Sequence, residues 1–141
     1  KDENMAIPVP LPPNMPGLEA TISRVGSIRP GREIELKNGG KICRWFEQIE
    51  AGDNEILRET VDGQPIVIRN GNIIYQAAWL NEDALRDLCR DLSKEAKLDW
   101  ADMPEGLRRR QFNGGHMLIN YNDYELGFGD YAIGAADMAM M

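Results

Sequence analysis

Between Gln64 and Leu98 the hydrophobic repeat changes period, and this limits the fold more than anything else in the 141 residues. Pro65 to Arg69 carries Ile66, Val67 and Ile68, Asn70-Gly71 follows, and Asn72 to Trp79 carries Ile73, Ile74, Tyr75 and two alanines. Asn-Gly between β-rich runs predicts a two-residue hairpin, because such turns need φ > 0 and these residues tolerate it. From Leu80 the period becomes 3.6. Asn81 is placed to cap a helix, Glu82 and Asp83 suit its positive end, and Leu85, Leu88, Cys89, Leu92 and Ala96 share one face opposite Arg86, Asp87, Arg90, Asp91 and Lys94. The stretch therefore predicts strand, turn, strand and amphipathic helix, with the helix laid over a sheet.

Upstream, five prolines (Pro8, Pro10, Pro12, Pro13, Pro16) fall between Lys1 and Gly17. They predict an extended arm, which serves as a linker unless the alternating Met5, Ile7, Val9 and Leu11 pack on a surface. Leu18 to Ile28 reads as a strand closed by Pro30-Gly31. Arg32 to Leu36 and Lys41 to Ile49 form a hairpin around Asn38-Gly39-Gly40, and Glu55 to Val61 is a further strand. Strands this short and close predict antiparallel pairing with one wet face. After Leu98 the chain becomes turn-rich, and four short strands are expected at 107–112, 116–121, 124–128 and 131 to the terminus. A boundary near residue 101 divides residues 1–100 from a β module of residues 101–141 that is small enough to need support from a neighbour.

A hydrophobic content of 43% suffices for a core, whereas 16 basic against 23 acidic residues gives a net charge of −7. That balance disfavours nucleic acid and anionic membranes as partners, since both reward clustered Lys and Arg. Cys43 and Cys89 form no CxxC pattern and suit a reducing, cytoplasmic setting. No apolar run approaches a membrane span. The chain begins at Lys1 and not at methionine, which points to processing or to a piece of something longer.

No constellation amounts to an active site. His116 is the single histidine and lacks the partners that metal or general-base chemistry needs. Arg108-Arg109-Arg110 alternates across a strand, so it reads as a salt-bridged rim or a contact to acidic residues. The carboxylates fall on the solvated helix face (Asp87, Asp91), in alternating strands (Glu33, Glu35) or in turns (Asp53, Asp62), and none is recognisably paired and sheltered. Ser23, Ser27 and Ser93 sit in no nucleophile elbow, and no phosphate-binding glycine loop occurs. Trp45, Trp79 and Trp100 read as core or interface anchors, with a sugar-stacking platform as the alternative. Catalytic, cofactor and metal residues are all expected to be absent.

Three stretches, in order, carry a resemblance to the C-terminal part of family 42 glycoside hydrolases, the bacterial β-galactosidases. Lys1-Asp2-Glu3-Asn4 with the proline-rich arm and Gly17-Leu18-Glu19 resembles a segment inside that family's trimerisation domain. Residues Gly71 to Leu80 and the helix after them resemble the domain's last strand and helix. Met103-Pro104-Glu105-Gly106-Leu107-Arg108-Arg109-Arg110, Met117 to Tyr121 and Ile133 to Ala139 resemble the opening, a middle strand and the closing strand of the C-terminal β domain.

The resemblance implies an α/β fold: part of a flavodoxin-like, class I glutamine-amidotransferase-like domain with β-hairpins and one main helix, then a small antiparallel β domain. The family's two catalytic glutamates and cysteine-bound zinc belong to an N-terminal barrel absent here, so no site residue, metal or cofactor carries over. The implied role is a non-catalytic oligomerisation segment whose partners are the missing catalytic barrel and like subunits in a homotrimer, in a parent that hydrolyses terminal β-galactosides with retention. The alternative is a free-standing carbohydrate-binding or protein-interaction module that uses the tryptophans or Tyr121, Tyr124 and Phe128. Activity in the chain itself would need a hidden carboxylate pair.

Overall fold

The computed structural model describes residues 11, 13 and 15–141, which divide into one unit ending at Glu95 and a second running from Ala96 to Met141. The alternating Met5, Ile7 and Val9 of the proline-rich arm lie outside the described residues. Leu11 is described, and it packs against a buried cluster of the first unit.

The first unit contains β1 (Thr21–Ser27), β2 (Ile34–Glu35), β3 (Lys41–Glu50), β4 (Glu55–Glu59), β5 (Pro65–Asn70), β6 (Ile73–Gln76), β7 (Ala78–Leu80) and α1 (Glu82–Glu95). Strand β3 is central to one sheet, taking β1, β2 and β7 as antiparallel neighbours, while β4, β5 and β6 form a second sheet in that order. Backbone bonds tie the sheets together: Glu47 N–H donates to Ala77 O at 2.6 Å, and Ala77 N–H donates to Ile66 O at 2.8 Å.

The predicted hairpin forms between β5 and β6, shifted by one residue. Asn70 pairs with Ile73, so the loop is Gly71-Asn72, with the positive φ on Gly71 at 57°. Glycine at the first central position is the type II′ arrangement.

Antiparallel pairing emerges as expected; the single wet face does not hold for every strand. Ile66, Val67 and Ile68 are all fully buried. Val67 and Ile66 join Leu36, Ile42, Ala78, Leu80, Ala84 and Leu88 in one cluster, whereas Ile68 joins Leu18, Ile22, Ile49 and Ala77 in another. A strand covered on both sides reads as a continuous apolar run, and this one does.

Helix α1 is capped as the sequence predicts, since Asn81 Oδ1 accepts from Ala84 N–H at 3.2 Å and also from Lys41 N–H at 2.9 Å. Its buried stripe is Ala84 and Leu88, with Leu92 packed alongside, while Leu85 faces water. The rotation away from the expected face has a steric cause. A Cβ at Gly40 would stand 2.5 Å from the Ala84 Cβ, so the helix seats its smallest side chain on the bare glycine backbone, and Leu85 turns outward.

The second unit has five strands where four were expected: β8 (Leu107–Phe112), β9 (Gly115–Asn120), β10 (Leu126–Phe128), β11 (Tyr131–Ile133) and β12 (Met138–Met140). Strand β9 lies between β8 and β12, and β10 pairs with β11. Its apolar centre is Leu107, Leu118 and Ile133, with Met103, Leu126, Phe128 and Ala139 around it.

The architecture is mostly β-sheet with one helix. The flavodoxin-like α/β layout implied by the resemblance is not confirmed: the strand pairings described here are antiparallel, whereas that layout rests on parallel strands joined by helical crossovers.

Candidate functional site

The acidic side chains named from the sequence are spread over the surface, and three of them, Glu33, Asp87 and Asp91, are engaged with cations. Glu33 holds Lys41 at 2.6 Å, and Asp87 holds Arg90 at 2.6 Å. Asp91 meets Arg58, and Asp62 accepts from the Thr60 hydroxyl at 2.5 Å. The hydrogen bond that Lys41 donates to Glu33, followed by the charge of that carboxylate, raises the Lys41 ammonium above its ordinary value. Two acids do converge: Glu55 and Glu95 both reach Arg69, at 2.8 and 2.6 Å. Both carboxylates are more than half exposed and share a guanidinium whose pKa they raise, with Glu95 the larger contributor. Two wet acids bridged by a cation form an ion-pair network, since general acid/base work requires a sheltered pair with separated affinities for the proton.

Glu47 is placed differently. It accepts from the Tyr75 hydroxyl at 2.5 Å, and burial together with the adjacent carboxylate pushes the Tyr75 phenol above its ordinary range. This bond braces strand β3 against β6, with a phenol too weakly acidic there to serve as a proton source near neutrality.

His116 exchanges backbone hydrogen bonds with Met141, and its side chain is partly exposed. Among the described residues no group of three or more His, Cys, Asp or Glu could hold a metal ion. Arg109 pairs with Asp99 at 3.0 Å, while Arg108 donates to the carbonyl of Leu107, so the three consecutive arginines do not act on one surface.

The tryptophans do not supply a free stacking platform. Trp79 is 45% exposed, but the Arg44 guanidinium lies over its ring at 4.7 Å from the centroid. Trp45 is half-buried, and Trp100, in the second unit, donates from Nε1 to Asp102 at 3.2 Å. Of the aromatic trio in that unit, Tyr121 and Tyr124 face water, whereas Phe128 packs on the apolar centre.

Arg44 reaches Trp79 because β3 is irregular there. Ile42 pairs with Leu80 and Phe46 with Ala78, so residues 43–45 face Trp79 alone. Such a bulge re-aims side chains, and it leaves Arg44 in the left-handed region at φ 70°. Beside it opens a groove of about 460 Å³ lined by Ile28, Arg29, Pro30, Gly31, Arg32, Glu33, Cys43 and Arg44. The sequence reading assigned Pro30-Gly31 to a turn and gave Arg29, Arg32 and Arg44 no role. A cation at each end of a Pro-Gly turn was the signal available.

Fold and surface together define a β-rich piece with a basic groove and no enclosed carboxylate pair among the described residues. No family model matches the chain. It is 32% identical over 127 residues to the β-galactosidase of Thermus thermophilus, a match that covers 86% of this chain and 19% of that protein. The solved β-galactosidase of the psychrophilic Marinomonas ef1 superimposes with a TM-score of 0.78 at 24% identity, over 87% of this chain and 20% of that one. Gan42B, a family 42 β-galactosidase from G. stearothermophilus, superimposes with a TM-score of 0.67 at 12% identity, over 88% and 23%. The chain is thus similar to a fragment of β-galactosidases, with glycoside hydrolase family 42 among its structural neighbours, and it spans about a fifth of the length of these relatives.

Proposed function

We propose that this chain is a non-catalytic assembly segment of a β-galactosidase whose complete protein hydrolyses terminal β-galactosides. One observation carries the reading: a match along 86% of this chain takes up only 19% of a β-galactosidase, and the two carboxylates that converge, Glu55 and Glu95, are exposed and share Arg69. On this reading its first unit is the closing portion of the amidotransferase-like trimerisation domain, and its partners are the catalytic barrel and like subunits of a homotrimer. No helix among the described residues is long and apolar enough to cross a membrane, and Cys43 and Cys89 are free thiols. The free thiols accord with a reducing, cytoplasmic setting.

The test is complementation. The chain and the missing four-fifths of a related β-galactosidase are produced separately, mixed, and assayed on a chromogenic galactoside. Activity in the mixture and in neither part alone is the expected result. A folded chain that neither binds the larger part nor restores turnover would sink the proposal. The sugar-binding alternative predicts saturable quenching of tryptophan fluorescence by galactosides. The Arg44 guanidinium seated on Trp79 counts against it.

A further inference from the structure

The arginines of the first unit fall into two sets. Arg58, Arg69, Arg86 and Arg90 each hold a carboxylate. Arg29, Arg32 and Arg44 hold none among the described residues, and they line the same open groove; Arg24, likewise unpaired, lines a neighbouring hollow. The groove's own acid, Glu33, is occupied by Lys41. In a chain of net charge −7, three guanidiniums beside one carboxylate already neutralised by Lys41 are a local reversal of sign.

Their placement is set by backbone structure. Arg32 N–H donates to Arg29 O at 3.0 Å around Pro30-Gly31, with Gly31 at φ 79°, the signature of a type II turn. The two arginines are therefore held at either end of one tight turn. Ile28 N–H donates to Arg44 O at 2.6 Å, which ties that turn to the β3 bulge, and Trp79 fixes the Arg44 side chain from below. Guanidiniums organised in this way suit planar, bidentate carboxylates.

The second unit carries a surface of matching chemistry. Between Tyr121 and Glu125, Asp123 and Glu125 have no cation partner among the described residues, and Tyr121 and Tyr124 project into water. This loop is also rigid. Buried Asn120 donates from Nδ2 to the carbonyls of Tyr124 at 2.7 Å, Gly134 at 2.9 Å and Ile133 at 3.1 Å, and its Oδ1 accepts from Asn122 N–H at 2.9 Å. Tyrosine and arginine are enriched at protein interfaces, and a preformed loop loses little freedom on docking.

We infer that the Arg29–Arg32–Arg44 groove is a docking site for an acidic, tyrosine-bearing polypeptide surface, and that its occupant is the Tyr121–Glu125 loop of a second copy of this chain. The inference rests on the assembly reading above and names the contact through which copies meet. Groove and loop are different surfaces, so the contact is head-to-tail, the kind that closes rings of subunits.

Sedimentation velocity on the full chain at low salt tests this, with R29E/R32E, D123K/E125K and the combined four-site variant. All four positions are exposed or unpaired, and unchanged circular dichroism melts confirm that each variant folds. The expected outcome is self-association that weakens as salt rises, with a dissociation constant raised about tenfold or more in each two-site variant and recovered in the four-site variant. In an equimolar mixture of the two-site variants each groove faces a loop of opposite sign on the other variant, so association should return as alternating copies although neither variant associates with itself. Association unchanged by the swaps, a chain that stays monomeric throughout, or inorganic phosphate filling the groove without disturbing association would each overturn the inference. If the assembly reading itself fails, the unsubstituted chain will not complement the missing four-fifths. If only the groove inference fails, complementation will persist and ignore the charge swaps.

Discussion

Up to Glu95 the chain buries two clusters of aliphatic side chains, eight residues in one and five in the other, and meets at β5, covered on both sides. From Ala96 onward only Leu107, Leu118 and Ile133 form the buried apolar centre, and the amide of Asn120, 1% exposed, gathers three carbonyls from the surrounding loops. The first part is held by area removed from water, which is tolerant in direction. The second is held by a few contacts around one directional polar hub, as expected where about 46 residues cannot enclose much apolar surface. The difference teaches where each part is vulnerable: loss of volume in the first is shared among many neighbours, whereas loss of one group in the second has few neighbours to absorb it.

The comparison is broken most directly by Leu118→Ala. Truncating a fully buried leucine costs about 2 to 5 kcal/mol, and with two other buried hydrophobics in its cluster the strands β8 and β9 should lose their amide protection in hydrogen exchange. Protection there equal to that of the parent chain would refute the ranking of the two parts. Next comes Asn120→Ala, which leaves the carbonyls of Tyr124, Ile133 and Gly134 without their shared donor, that of Ile133 in a buried setting. A loss of about 2 to 3 kcal/mol is expected from desolvated, unpaired groups, read as a lower thermal midpoint and faster exchange across residues 121–134.

In the first part, Asn81→Ala removes a helix cap and the acceptor for Lys41 N–H. About 1 kcal/mol should be lost, visible as fraying of α1 in exchange while β5 remains protected. The smallest effect is expected from pH. Because the Tyr75 phenol is held above its ordinary value of 10.0 when folded, the folded form keeps its proton where the unfolded chain releases it. Stability from this group is therefore complete below about pH 10 and declines as pH rises beyond it. Alkaline melts of Tyr75→Phe should lack that decline; an identical slope in both proteins would remove Tyr75 from the account.

Local features were legible in the sequence. The hairpin before the helix, the Asn81 cap, the acidic first turn and the Pro-Gly turn each depend on residues within a few positions of one another. What escaped depends on distant partners. Leu85 faces water because Gly40, more than forty positions earlier, receives Ala84. The turn at Asn70-Gly71 moved by one residue because cross-strand register with β6, and not the dipeptide, selects the loop. The tryptophans could be named from the sequence, but their availability could not, since the cover on Trp79 comes from a bulge formed by unequal strand lengths. The basic groove was hidden for the same reason: Arg29 and Arg32 meet Arg44 only through the hydrogen bond from Ile28 to a remote strand.

The seam between Gly40 and Ala84 leaves no clearance on the glycine side: a methyl at position 40 would stand 2.5 Å from the Ala84 Cβ, so that position cannot enlarge while the helix stays where it is. The two sites behave as a lock with a single key size. Related sequences that preserve this helix seat should keep glycine at position 40, where the φ of 80° disfavours a side chain as well, and a variant that adds a methyl there must shift α1 and open the larger cluster to water.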